Sequence, residues 1–163
     1  MKLNLREIID VPGGRVPFSV DLDAERLSFP SVARYLKVPH AEGVVRNNAG
    51  VLTVKGSMTA EMICLCDRCG GEFPSSKETE IDALVTREED PEAPEAFVLE
   101  GDCLDLDELL ETVLILDMET KFLCSEDCKG LCPVCGKNLN EGPCGCRKET
   151  DPRLAVLEQL LDR

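Results

Sequence analysis

Ten cysteines constrain this chain more than any other feature, and two of their local patterns are the same. Cys66-Asp67-Arg68-Cys69-Gly70 and Cys132-Pro133-Val134-Cys135-Gly136 each read C-x-x-C followed by glycine. Two thiolates at this spacing reach one tetrahedral metal at metal–sulfur distances of about 2.3 Å. The turn between them aims backbone N–H groups at the sulfurs, and the glycine allows a positive φ that other residues resist. Two further pairs, Cys124/Cys128 and Cys144/Cys146, supply the remaining thiols. The sequential set Cys132, Cys135, Cys144 and Cys146 predicts a compact site that closes a short loop. Cys66, Cys69, Cys124 and Cys128 predict a second site, tying a sheet hairpin to the chain that follows a helix. Structural zinc is the cofactor this donor set calls for. Cys64 and Cys103 are left over; Cys64 falls on the inward face of a strand and reads as a small hydrophobe.

Other thiol chemistries fit less well. A disulfide framework belongs to exported chains, and the opening MKLNLREIID has no apolar run of signal-peptide length. A thioredoxin-like pair opens a helix, whereas Cys66 and Cys69 join two antiparallel strands. Cys128, Cys132 and Cys135 match the spacing of radical S-adenosylmethionine enzymes, but too little chain follows to build their barrel. Spacing does not separate zinc from a rubredoxin-like iron. A redox or iron–sulfur protein therefore stands as the alternative to a structural metal protein. There is no P-loop, dinucleotide fingerprint or nucleophile elbow, and the single histidine, His40, reads as a loop residue. The expectation is a protein without a catalytic centre or small-molecule substrate.

Charge is concentrated. Of a net charge of -14, residues 88–111 contribute eleven acids and no base. This belt reads as a solvated linker over 88–100 or as a docking strip for a basic partner. No run approaches the roughly 18 apolar residues that span a bilayer, so the expected location is cytoplasmic. With no Trp and 4% aromatic residues, the core must be aliphatic.

Periodicity predicts the elements. Val16, Phe18, Val20 and Leu22 alternate as an edge strand containing Pro17. Residues 23–42 read as loop. The cluster Asn47-Asn48-Ala49-Gly50 predicts a turn into a long strand with Leu52, Val54, Met58, Ala60, Met62 and Cys64 facing inward. A further strand follows over 78–85, with a brief return to the sheet at Phe97-Val98-Leu99. Asp105 and Glu108 open a helix over 106–118, and Asp151-Pro152 opens a closing helix over 152–162. The expected fold is α+β: an antiparallel sheet or partly closed barrel, two helices and a small C-terminal zinc-knuckle module. The expected division is 1–123 and 124–163.

In order along the chain stand Cys66-Asp-Arg-Cys69, an acidic segment leading to Asp105-Leu-Asp-Glu-Leu-Leu, Cys128-Lys-Gly-Leu-Cys-Pro-Val-Cys-Gly-Lys-Asn-Leu-Asn140, Cys144-Gly-Cys146 and Asp151-Pro-Arg-Leu154. This series resembles the bacterial YceD family, the large ribosomal RNA subunit accumulation proteins. The resemblance covers essentially the whole chain. It implies a non-catalytic role in 23S rRNA accumulation and large-subunit biogenesis. The partner would be precursor large-subunit rRNA or a basic ribosomal protein. Candidate RNA-facing cations lie around the knuckles: Arg68 in the first, and Lys129, Lys137, Arg147 and Lys148 in the second, with Asn138 and Asn140 as added hydrogen-bonding groups. So few aromatics point to phosphate rather than base contacts.

Overall fold

The computed structural model describes residues 1–89 and 91–146. Its strands are β1 (Lys2–Asn4), β2 (Arg15–Asp21), β3 (Val32–Tyr35), β4 (His40–Asn48), β5 (Val51–Leu65), β6 (Glu72–Thr86), β7 (Phe97–Val98) and β8 (Cys103–Asp105), followed by helix α1 (Leu106–Asp117). The strict alternation in β5 places Leu52, Val54, Met58, Ala60, Met62 and Cys64 in the core. Such alternation suits a sheet with one covered face. β6 pairs antiparallel with β5 from Leu52↔Val85 to Leu65↔Glu72, bringing Ile81, Ala83 and Val85 onto the same buried face. Gly56 and Gly43 stand opposite each other across β5 and β4. A Cβ on Gly56 would collide with the Glu42 carbonyl, and one on Gly43 would meet the Phe18 ring. Phe18 on β2 thus packs into the space beside Gly43, while Gly56 lets the β4 backbone approach β5 closely.

The sheet runs β2-β4-β5-β6-β7, and β3 also pairs with β5. β4 takes Val51–Thr59 of β5 and β3 takes Met62–Cys64, so two short strands share one edge of a long one. Pro17 lies on the edge strand β2, where its missing N–H costs no ladder bond. The loop expected over 23–42 contains β3 and the start of β4. β3 is four residues long, too short for its alternation to show in sequence. β7 is the brief return to the sheet expected at Phe97-Val98-Leu99, and it pairs parallel with β6.

Partial closure into a barrel does not occur. β2 pairs with β4 alone, and β7 at the far end has two residues. The apolar face is covered instead by Leu106, Leu109, Leu110 and Leu114 of α1 and by Leu5, Ile8 and Ile9, all in one core with the sheet. A sheet whose face is covered by another layer has no need to close on itself. The expectation of two helices is corrected to one α-helix and one short 3-10 turn, Leu139–Glu141, among the described residues. The helix expected over 152–162 lies outside them. None of the described helices is long and apolar enough to cross a membrane.

α1 begins as the sequence implies: the Asp105 carboxylate accepts from the Glu108 N–H at 3.3 Å. β1 and β8 form a separate two-stranded ribbon that carries the N-terminus to the helix start. There the acidic belt meets its cations: Lys2 pairs with Glu100, the N-terminal amine with Asp107, and Arg26 with Asp107 and Glu111. Two buried polar groups lock the covering layer. The Asn47 amide donates to the Ile8 and Ile9 carbonyls, both at 2.8 Å, and its oxygen accepts from Gly50 N–H at 2.7 Å. The Thr79 hydroxyl donates to Asp117 at 2.9 Å, joining β6 to the end of α1. That hydrogen bond, reinforced by Lys77, holds the Asp117 carboxyl below its ordinary range.

Candidate metal centres

β5 ends at Leu65 and β6 starts at Glu72, so the loop of the longest hairpin is the first cysteine knuckle. Cys66 N–H donates to the Gly71 carbonyl at 2.9 Å, and Gly70 N–H returns to the Cys66 carbonyl at 2.8 Å. The second knuckle repeats this pattern: Cys132 N–H donates to the Lys137 carbonyl and Gly136 N–H to the Cys132 carbonyl, both at 2.8 Å. Gly70 and Gly136 have φ of 68° and 72°, the left-handed conformation that the turn requires.

The thiols gather into two groups of four, Cys66/Cys69/Cys124/Cys128 and Cys132/Cys135/Cys144/Cys146, with all sulfurs of a group within 4.8 Å of one another. These are the two sets expected from spacing. In the first, Cys66 Sγ lies 3.8 Å from Cys128 Sγ, and Cys69 Sγ 3.8 Å from Cys124 Sγ. A tetrahedral ion with metal–sulfur distances of about 2.3 Å sets its ligands about 3.8 Å apart, whereas a disulfide requires about 2.05 Å. The geometry therefore fits a tetrahedral metal, and all ten cysteines are unbridged. Cys64 is fully buried, and burial raises its pKa.

Asp67, inside the first knuckle, brings in the later ligands. Its N–H donates to the Phe122 carbonyl at 2.8 Å, and its carboxylate accepts from Phe122 N–H at 2.6 Å. The buried Phe122 ring packs edge-on against Phe29 at 5.8 Å, which places Cys124 two residues further on. Arg68 fixes the next turn. Its guanidinium donates to the Glu126 and Cys128 carbonyls at 2.8 and 2.9 Å, and its own carbonyl accepts from Leu131 N–H. Gly130, at φ 70°, leaves room for that carbonyl.

Asn140 links the two groups. Its oxygen accepts from Lys129 N–H at 2.8 Å, and its amide donates to Cys128 Sγ at 3.3 Å and to Asn138 at 2.9 Å. Asn138 caps the short 3-10 turn by accepting from Asn140 N–H. Residues expected to face RNA are thus occupied within the fold: Arg68 and both asparagines in these bonds, and Lys137 in donating to the Pro143 carbonyl at 3.2 Å. Lys129 is exposed, while Arg147 and Lys148 lie outside the described residues. His40 begins β4 and bonds Asp21 and Ser19. The structural parts of Asp67, Arg68 and Asn140 were missed in the sequence, where the only signal was their position inside or beside a knuckle.

Protonation follows the same geometry. Burial opposes the Cys66 thiolate, but N–H donation from Cys124, Cys69 and Arg68 outweighs it and brings the pKa down to about 6. N–H groups of Cys135 and Val134 bring Cys132 down to about 6 in the same way. The Asn140 amide lowers Cys128. Cys124 and Cys146 are pushed up to about 12, chiefly by hydrogen bonds to Cys128 and Cys135 respectively. Each group thus sets sulfurs of lowered and raised pKa side by side, four donors suited to a thiophilic dication.

The chain is 28% identical over 117 residues to uncharacterized proteins of Mycobacterium bovis and Mycobacterium tuberculosis, covering 69% of this chain. It spans 56% of the length of those relatives. No solved structure matches it. The family described as "Large ribosomal RNA subunit accumulation protein YceD" matches over residues 54–161, a span that holds most of the long hairpin, both thiol groups and α1. By that match the chain belongs to the YceD family.

Proposed function

We propose that this protein is a non-catalytic factor that supports accumulation of 23S rRNA and formation of the large ribosomal subunit. The observation that carries this reading is the family match over both thiol groups. In this reading each group holds a structural zinc ion. Cys132, Cys135, Cys144 and Cys146 hold one, and Cys66, Cys69, Cys124 and Cys128 the other. Closed sites with four protein ligands leave no open position for chemistry, which favours a structural over a catalytic metal. The metals hold the knuckle end of the molecule as a rigid surface toward precursor large-subunit rRNA, with Lys129, Arg147 and Lys148 as candidate contacts. Arg68 and Lys137 support that surface from within.

Depletion of the protein tests the role. Mature 23S rRNA and free large subunits should fall relative to small subunits on sucrose gradients. Normal subunit ratios and normal 23S levels after depletion would reject the assignment. The purified protein should be colourless with about two zinc ions per chain; a brown preparation with visible absorbance would instead establish the iron–sulfur alternative.

A further inference from the structure

Arg15 on β2 and Arg46 on β4 stand directly opposite each other in the ladder. Both are exposed, on the sheet face turned away from the core. Side chains at directly opposed positions start about 5 Å apart, and like charges there repel. The surroundings do not relieve this. The direct and diagonal neighbours on the same face are Pro17, Val44, Asn48, Val51, Thr53 and Lys55, and none is acidic. Lys55, the other cation of this corner, is held by Asp82 at 3.0 Å. Neither arginine has a carboxylate partner among the described residues. Lys2, Arg26, Arg34, Lys37, Lys77 and Arg87, by contrast, all do; Arg6, Lys121 and Lys129 also show no ion pair among the described residues but lie outside the strands, where no ladder sets a second cation opposite them.

A chain of net charge -14 repels a polyanion at long range. Contact with RNA therefore needs a local place where cations are not already neutralised. We propose that the Arg15–Arg46 pair is such a place and binds the phosphodiester backbone of RNA. The proposal rests on the reading that this protein works with large-subunit rRNA. Each guanidinium offers a planar fork of donors that matches phosphate oxygens bidentately. The Asn48 amide and Thr53 hydroxyl lie beside the pair and bond each other at 3.3 Å, adding neutral polar groups to the same face. Aromatic side chains are absent from these neighbouring positions, so the contact reads phosphate and shape rather than bases. Thr53 and Cys66 are separated by nearly the whole of β5, about 40 Å at strand rise. The pair is thus remote from the knuckles, and its contact is independent of theirs.

The test uses the full-length, metal-loaded protein and a labelled RNA hairpin of about 30 nucleotides, with affinity followed across salt concentration. Neutralising two phosphate contacts should lower the slope of log K against log salt by about 1.5. The double variant Arg15→Gln/Arg46→Gln should show that loss, with affinity at low salt reduced about tenfold. Its melting temperature should not fall, because an opposed like-charge pair has been removed. Arg34→Gln, which removes an ion-paired arginine, should leave affinity and slope unchanged. Unaltered affinity and slope in the double variant would overturn the site, as would absence of RNA binding by the native protein at low salt. Competition by polyglutamate as effective as by RNA would overturn it in favour of an acidic protein partner. Depletion reads the cellular role separately. A depletion defect with an unaltered double variant rejects only the arginine site, whereas normal subunits with lost RNA binding reject only the family role.

Discussion

Cys66 receives its turn from the end of β5, and Cys69 passes the chain on to β6, so the first knuckle is bounded by the longest ladder in the molecule. Cys132 and Cys135 form the same turn with the same two hydrogen bonds, but between loops. Among the described residues after Leu123, the buried apolar side chains are Cys128 and Cys132, while Leu131 and Val134 are exposed. The first knuckle is therefore a product of the sheet. The second has no core beneath it, and small units without a core depend on a metal or a cross-link. The same local motif is a consequence of the fold in one place and a cause of it in the other.

The largest expected effect comes from removing metal altogether. Chelation should abolish amide-exchange protection over residues 128–146 while β4, β5 and β6 keep theirs. Simultaneous loss of protection in the sheet would show that both knuckles depend on metal alike. Single ligands sharpen the contrast. Cys132→Ser and Cys69→Ser should each lose one zinc by elemental analysis. Only Cys132→Ser should make the chain beyond Gly130 sensitive to protease, since the sheet still frames the other turn.

Asn140→Ala tests how separate the two centres are. The residue belongs to the second loop but donates to a sulfur of the first group. Loss of such an outer partner typically weakens metal affinity about 10- to 100-fold. The loss should appear in the centre built on Cys128, as read by competition with a chromophoric chelator. A loss confined to the other centre would mean that Asn140 acts only by shaping its own loop.

The smallest effect lies in the sheet. Thr79→Val removes the bond to Asp117 and should cost about 1 kcal/mol in denaturant unfolding, equally with and without metal. The Thr79 bond lowers the Asp117 pKa on folding. Its contribution is therefore present above the ordinary carboxylate range and disappears as pH falls through the lowered value. The variant's stability should accordingly be flatter than the native protein's between about pH 5 and pH 2. A cost that vanished on chelation would tie the sheet to the metals after all.

Where a signal was local, it was legible. The alternation of β5, the start of α1 and the two sets of four cysteines all follow from spacing, because pleat, helical turn and tetrahedral site each impose a short repeat. What escaped depends on distant partners. β1 and β8 are three residues each and exist because the N-terminus pairs with 103–105. Arg68 resembled a surface cation because nothing in its neighbourhood reveals that carbonyls of residues 126 and 128 will fold over it. Asn140 likewise spends its side chain on Lys129 and Cys128 of the preceding turn, whereas Asn138 bonds within its own short turn. Openness of the sheet was equally hidden, since alternation is the same in a covered sheet and in a barrel.

The placement of a thiol group at the tip of the β5–β6 hairpin has a consequence for fidelity of folding. A strand ladder can err by slipping one residue, which turns every inward side chain outward. Here such a slip would carry Met58 and Met62 into water and, in the same motion, swing Cys66 away from Cys128. An error anywhere along the ladder is thus detected at its tip, where four sulfurs either meet or do not. The knuckle works as a checksum on the sheet: only the correctly counted hairpin can close it.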